Sequence, residues 1–281
     1  MFNTHRAVIR LYAFVFLALA SLLAPPAAQA QFQPRDVSDP ATGEQYHIEG
    51  AFGFWLAPTT EMQISSSALA IAGTTIDFKK DLGLQDQSFR EFHLTAKGGR
   101  NKFRLQYIPL SYEQSATLRR RIVFNGQAYD VGLPVNSKLD WKAWRIGYEH
   151  DFVVKDRGFG GFIFDVKYTD VNASLASPIR SDFVKAQAPI PTIGGIFRVY
   201  PAANIAITGE ITGFTLGWAP ESIRGATNGH YADFDFYGTM NFTNNIGVQG
   251  GYRRLDVGYE LKNDAGAFTV KGIYFNVVAR Y

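Results

Sequence analysis

The chain closes with IYFNVVARY, residues 273 to 281. In an extended chain successive side chains point to opposite faces, so Ile273, Phe275, Val277, Ala279 and Tyr281 share one side, and Tyr274, Asn276, Val278 and Arg280 share the other. One face is wholly apolar. The other carries an amide and a guanidinium, so this strand separates an oily surrounding from a polar one.

The same period of two recurs upstream. Ile48, Gly50, Phe52, Phe54 and Leu56 oppose His47, Glu49, Ala51 and Gly53, and Trp144, Ile146, Tyr148 and Phe152 oppose Arg145, Glu149 and Asp151. Phe162, Phe164, Val166 and Tyr168 oppose Asp165 and Lys167, while Phe234, Phe236 and Met240 oppose Asp233, Asp235 and Tyr237. Tight connections at 98–101, 155–158, 201–204 and 243–245 alternate with longer ones at about 58–86, 111–138, 172–191 and 217–230, and a shorter one at 261–266. Short turns at one end and longer loops at the other suit a transmembrane antiparallel up-and-down β-barrel. The segments count to about ten strands, or eight if residues 192 to 216 are not strand. The alternation slips between Tyr252 and Leu255, where a bulge would exchange the two faces.

Composition agrees with an all-β chain of half-polar strands: 23 Phe, 14 Tyr and 27 Gly, with 15% aromatic residues and a mean hydropathy near zero. After residue 30 no apolar run approaches the roughly 18 residues of a helical span. A β-sandwich would also alternate, but here the second face gathers charge of both signs: Glu49, Glu91, Glu149, Asp165, Glu210, Asp233 and Asp235 against Arg104, Arg145, Lys167, Arg198, Arg253 and Arg280. An Arg or Lys on a lipid face costs roughly 2–4 kcal/mol near the midplane, so these residues are expected to line the lumen as a paired charge network. A barrel this narrow is expected to be filled by side chains.

At the other end, His5, Arg6 and Arg10 precede an apolar run from Leu11 to Leu23, and Ala28, Gln29 and Ala30 form a small-x-small site. Residues 1–30 therefore read as a cleaved signal peptide. Residues 31–45 read as a periplasmic lead-in and 46–281 as the barrel. The formal charge of +3 falls towards neutral once Arg6 and Arg10 leave with the signal, so nothing points to nucleic acid. Cysteine is absent, which leaves burial and hydrogen bonds to close the fold and avoids mispairing in an oxidising compartment.

The carboxy-terminal strand, ending on aromatic Tyr281 after Phe275, Val277 and Ala279, resembles the terminal signature of bacterial outer-membrane barrels. That resemblance implies recognition by the barrel-assembly machinery and an outer-membrane location. Ile76-Asp77-Phe78-Lys79-Lys80-Asp81-Leu82-Gly83-Leu84 is similar to a segment of largely uncharacterised proteins with an outer-membrane β-barrel domain, a family that implies fold and place but no activity. Physically, Asp81 to Leu84 is turn chemistry.

Candidate sites are few. Asn125-Gly126 signals a hairpin tip. A strand of about 24 residues from Asn101, rising roughly 3.3 Å per residue at a tilt near 45°, would climb on the order of 55 Å against an apolar band of about 25 Å, projecting Arg119, Arg120 and Arg121 either to pair with lipopolysaccharide phosphates or an acidic partner, or as solvated charges that discourage edge pairing. For acid–base chemistry His93 lies beside Glu91, and His230 near Asp233 and Asp235, without a recognisable motif. The mature histidines are scattered and no metal or other cofactor is expected. The reading is a monomeric, non-enzymatic outer-membrane barrel in lipid and lipopolysaccharide that binds or passes small or amphipathic molecules, or serves as a surface structural protein. The alternative is an outer-membrane enzyme acting on lipid A or peptides.

Overall fold

The computed structural model describes residues 41–56, 58–66, 74–218, 228–261 and 264–281. The expected signal peptide, most of the lead-in, and the middles of the 58–86, 217–230 and 261–266 connections lie outside the described residues. Fourteen strand segments follow one another: β1 (Ile48–Trp55), β2 (Thr59–Ser66), β3 (Ile76–Asp77), β4 (Phe89–Gly98), β5 (Asn101–Thr117), β6 (Ile122–Phe124), β7 (Gln127–Tyr129), β8 (Pro134–Lys155), β9 (Gly158–Ala176), β10 (Ser181–Ala202), β11 (Ile205–Thr215), β12 (Asn228–Asn241), β13 (Ile246–Leu261) and β14 (Asp264–Arg280).

β1 and β2 lie end to end along β14, with Phe52 opposite Val277 and Thr60 opposite Val270. They form one stave, interrupted at Pro58. Each remaining stave pairs antiparallel with its sequence neighbour, and β1 pairs with both β14 and β4, so the sheet is a closed barrel of ten strands. At the seam the amides of His47 and Ile48 donate to the Tyr281 carbonyl at 2.7 and 2.9 Å, and the Tyr281 amide donates to the Ile48 carbonyl at 2.8 Å. The terminal strand therefore closes the cylinder and leaves no edge there. β10, to Ala202, and β11, Ile205–Thr215, occupy nearly all of residues 192 to 216, which decides ten staves over eight.

Three expectations change. The connection at 172–191 is no long loop: β9 runs to Ala176, β10 starts at Ser181, and the Ser177 amide donates to the Arg180 carbonyl at 2.6 Å across a tight turn. There is no bulge between Tyr252 and Leu255, since that stretch pairs with Val270–Ile273 in unbroken register. Register shifts fall instead at Asp151/Val153 and Val199/Ala202, near the end that holds the termini. The Asn125-Gly126 hairpin does not project. β5 ends at Thr117, and β6 and β7 fold inward over the barrel mouth with Ile122, Phe124 and Tyr129 buried. Its turn has φ of +49° at Asn125 and +78° at Gly126, the two positive values that a type I′ turn requires.

One physical rule explains all three. β8 and β10 are 22 residues long, which at about 3.3 Å per residue and 45° tilt is roughly twice the height of an apolar belt of about 25 Å. Outward faces are apolar only along part of that length. On β5, Phe103, Leu105 and Tyr107 face out over buried Lys102 and Gln106; beyond them Ser111 and Glu113 face out over buried Ile108, Leu110 and Tyr112. β8 turns over above Trp144, where Lys142 and Lys138 face out and Trp141 and Leu139 face in. β13 does so at Tyr252, where Arg254 faces out and Leu255 faces in. Phe92, Tyr107 and Trp144 mark the boundary as a row of neighbouring rings, with centroids 6.4 and 4.2 Å apart, and Tyr168 stands opposite Trp144 on β9. Below this girdle lipid surrounds the barrel and the lumen is polar. Above it water surrounds the barrel and the interior is an apolar core.

Candidate functional site

Inside the lower half the charged side chains interlock. Arg253 donates from Nε and Nη2 to both oxygens of Asp233, at 2.9 and 2.8 Å, and from Nη2 to Gln106 Oε1 at 3.0 Å. Lys167 donates to the same Asp233 at 2.5 Å and to Thr212 Oγ1 at 2.7 Å. Glu210 sits between Arg104, at 2.8 Å, and Arg145, which reaches on to Asp165 at 2.8 Å. Glu149 joins Arg104 at 3.0 Å to Lys102 at 2.6 Å, and Lys102 lies 2.9 Å from Asp151. Glu91 accepts from Trp55 Nε1 and Asn276 Nδ2, at 2.9 and 2.8 Å, and Tyr274 donates to Asp235 at 2.8 Å. At the end holding the termini, Arg280 bridges Glu49 and Asn241 at 2.5 and 2.8 Å.

All thirteen charged residues read from the sequence as lumenal lie inside the barrel, where they gather in separate clusters: Glu91 with Arg253, Asp233 and Lys167; Glu210 with Arg104, Arg145, Asp165 and Glu149; Arg280 with Glu49; and Arg198 and Asp235 with uncharged or non-strand partners. Sequence reading missed Lys102, although strict alternation from Arg104 places it inward, and it put Asp151 on the polar face without counting it among the lumenal charges. It also missed Glu44, whose position outside the strands gave no periodic signal. Glu44 takes Arg198 at 2.8 Å, Lys97 at 2.9 Å and the Tyr200 hydroxyl. Burial alone would raise its carboxyl, but the two cations win and hold it well below the usual carboxylate range.

Above these clusters the lumen changes character. A cavity of about 610 Å³ lies among Ile64, Trp141, Val171, Ile190, Phe214 and Phe268. Its floor is close to the charges: Lys167 sits two residues below Thr169 on β9, and its ammonium lies 4.6 Å from the Tyr231 ring centroid. Trp141 packs edge-on against Phe268 with centroids 4.1 Å apart, and its buried indole Nε1 finds no hydrogen-bond partner among the described residues. Polar atoms enter at the rim, from Lys185, Gln187, Asn228 and His230. Volume and lining match the concave, mostly apolar sites that hold small molecules, for which roughly 300–1,000 Å³ is usual.

The β6–β7 hairpin forms a roof over the barrel mouth, although none of its residues lines this cavity. Tyr129 Oη donates to the Leu175 carbonyl at 3.1 Å, and Asn125 Nδ2 donates to Asp182 at 2.8 Å. On the other side Arg120 clasps Asp81 through Nε and Nη2, at 2.7 and 2.6 Å, and holds the Thr75 carbonyl. The Arg120 guanidinium beside Asp81 keeps that carboxyl below the ordinary carboxylate range. Asp81 lies in the turn that feeds β4, while Phe78, Leu82 and Leu84 of the same segment are buried. Arg119 and Arg121 are exposed, Arg121 lying 3.5 Å from Asp130.

The histidine candidates separate. His93 Nε2 lies 3.2 Å from Glu91 and 3.0 Å from Gln106, inside the polar lumen. His230 does not meet Asp233 or Asp235, which face inward; it faces out, 3.4 Å from Asp256.

No family model matches the sequence, and no curated protein matches it. Among solved structures the barrel is similar to the outer membrane protease OmpT of Escherichia coli, with a TM-score of 0.57 at 8% identity over 87% of this chain and 99% of that one. Looser likenesses include the attachment invasion locus protein Ail of Yersinia pestis, at TM-score 0.33 and 6% identity over 82% and 98% of the two chains. The toluene transporter TodX of Pseudomonas putida gives 0.32 and 9% over 93% of each. At such identity the likeness is one of architecture, and the chain has the fold of the outer-membrane β-barrel proteins.

Proposed function

We propose that this protein is a non-conducting, non-enzymatic outer-membrane barrel that holds a small apolar or amphipathic molecule in the chamber of its outer half. The observation that supports the reading is the division of the lumen. The half within the membrane is filled by interlocked charges, which opposes passage, whereas the half above the girdle keeps an apolar cavity of about 610 Å³. A mostly apolar hollow of this size with a few polar groups at its rim has the form of a site that takes a small molecule.

The test uses the refolded mature chain in detergent micelles, titrated with the apolar fluorophore N-phenyl-1-naphthylamine. Val171→Trp and Val257→Trp each add a ring to the chamber wall, and each is expected to weaken saturable binding by tenfold or more while the heat-modifiable folded band on a gel is kept. Planar bilayers with the same protein should show no discrete conductance steps. Affinity unchanged in both filled variants, or regular ion-selective steps, would overturn the proposal.

A further inference from the structure

Among the described residues, strand pairing in the upper barrel wall is incomplete in two places, and the two are treated differently. Above Phe89, β4 stops and leaves a gap between β2 and β5; Thr60 Oγ1 and Tyr112 Oη close it with a 2.7 Å hydrogen bond, and the 74–88 segment packs over it. The second gap lies between β10 and β11. Their pairing ends at Ile193 opposite Gly213, although β10 continues along β9 to Ser181 and β11 continues along β12 to Thr215. From Thr192 to Ser181, then, one edge of β10 has no strand partner among the described residues.

Two prolines sit on that edge, Pro189 and Pro191, both outward and exposed. Proline has no amide hydrogen, and it occurs in sheets where no ladder continues. The cavity reaches that edge. Residues of β10 pointing inward, Val184 and Ile190, line it together with outward-pointing Lys185, Gln187, Pro189 and Pro191. The gap begins low: Ile193 stands opposite Phe164 on β9, two outward residues below Tyr168 of the girdle, and Ile193 and Ile211 face lipid on its two sides.

We infer that the chamber is loaded sideways, from the outer leaflet, through the β10–β11 gap, and that its occupant is a single-chain anionic amphiphile of the fatty carboxylate class. The inference rests on the chamber being a binding site and adds route and ligand class. A chain sliding in from the belt stays among Ile193, Ile211, Phe214 and Ile190 throughout and crosses no water. Its head stops at the rim beside Lys185, which is exposed and forms no ion pair among the described residues, so the one free cation described there meets the carboxylate.

The chain has no cysteine, so a paired substitution is clean. Pro191→Cys with Thr215→Cys continues the Ile193–Gly213 register across the gap, and a cleavable bismaleimide joins the two. The control joins Ile193→Cys to Gly213→Cys, below the gap. Both proteins, shown folded by heat-modifiable migration, are placed in phosphatidylcholine vesicles carrying 11-(dansylamino)undecanoic acid, and loading is followed by dansyl fluorescence. Joining 191 to 215 should slow loading by tenfold or more, with recovery on cleavage, while joining 193 to 213 should leave it unchanged. Lys185→Glu should weaken dansylundecanoate by fivefold or more and leave neutral N-phenyl-1-naphthylamine unaffected. Equal loading of the joined and cleaved 191/215 protein would overturn the lateral route while leaving the chamber intact as a site. Equal effects of Lys185→Glu on both probes would overturn the anionic head. No saturable binding of either probe to any form would overturn this inference and the chamber reading together.

Discussion

Arg253→Met asks whether the lower lumen is a dry, interlocked lattice or a wet one. Arg253 is 3% exposed and makes three donor contacts of 2.8 to 3.0 Å, two to Asp233 and one to Gln106, with Glu91 a further 3.7 Å away. Met fills much of the volume but removes the cation. Breaking a buried ion pair by deleting one partner costs about 3–5 kcal/mol, because the other charge stays buried. Asp233 retains Lys167 at 2.5 Å, which places the expected cost at the low end, about 3 kcal/mol, or on the order of a hundredfold in the folding equilibrium. Arg253→Lys keeps the charge but loses the planar fork, forfeiting net hydrogen-bond contributions of about 0.5–1.5 kcal/mol each, so it should cost about half as much. The assay is reversible urea unfolding of the barrel in micelles, read by tryptophan fluorescence and by the folded band on a gel. A cost below about 0.5 kcal/mol for Arg253→Met would refute the reasoning, since only water in the lumen would solvate the abandoned Asp233 so cheaply.

The Asp81 carboxyl is held low by Arg120, so its contribution to seating the roof is present above the ordinary carboxylate pKa of about 4 and is lost as pH falls through the lowered value in the folded state; nicking of the roof by pepsin, normalised to a free peptide, should rise only below about pH 4. Asp81→Asn should loosen the roof already at neutral pH, raising tryptic cleavage after Arg119–Arg121 several-fold; unchanged cleavage would dismiss the clasp. Charge reversal at Arg119 and Arg121 together should weaken lipopolysaccharide binding without altering the folded band, and unchanged binding would remove those residues as a contact. Deleting Tyr281 removes the three backbone hydrogen bonds at the seam and should lower the yield of heat-modifiable barrel on refolding, whereas Tyr281→Ala, which keeps the backbone, should refold at near-parent yield into lipid vesicles.

How far the sequence was legible follows from which solvent each strand segment meets. Where lipid lies outside, as along Phe162–Tyr168 or Phe234–Met240, apolar and charged residues alternate sharply, and strand, face and lumenal charge can be read directly. Where the same strands rise into water, the outward residues turn polar and the inward ones apolar, so Ser111–Thr117 and Ser181–Pro191 read as loops although they are strands. The break at Tyr252–Leu255 has the same origin: the faces keep their sides and the solvents change. The chamber was illegible for another reason. Its walls come from β2 and from β8 through β14, most contributing one or two ordinary apolar residues, and nothing local distinguishes Val171 or Phe268 from core. Arg120 was legible as a charge but not as a clasp, because Asp81 lies 39 positions away.

The inversion of polarity also constrains where a ligand site can be. Within the membrane an apolar lumen would make the barrel oily on both faces and give it no preferred side for lipid, so register would be poorly specified. The clusters of Arg253, Asp233, Lys167, Glu210, Arg104 and Arg145 fix the inward face there, and their cross-strand pairs fill the bore. An apolar chamber is compatible with this only above the girdle, where water on the outside restores the contrast between faces. That placement puts the chamber beside the top of the lipid belt, and a hydrophobic molecule leaving lipid for it has two ways in: over the rim through water, or through the wall. The wall is stapled at β2–β5 by Thr60 and Tyr112 and capped over the mouth by Tyr129 and Arg120. Only at β10–β11, among the described residues, does a stave carry prolines where a ladder would otherwise continue, and the cavity lies against that stretch of the strand. The access route and the packed bore thus have one cause: the lumen must be polar where its surroundings are oily.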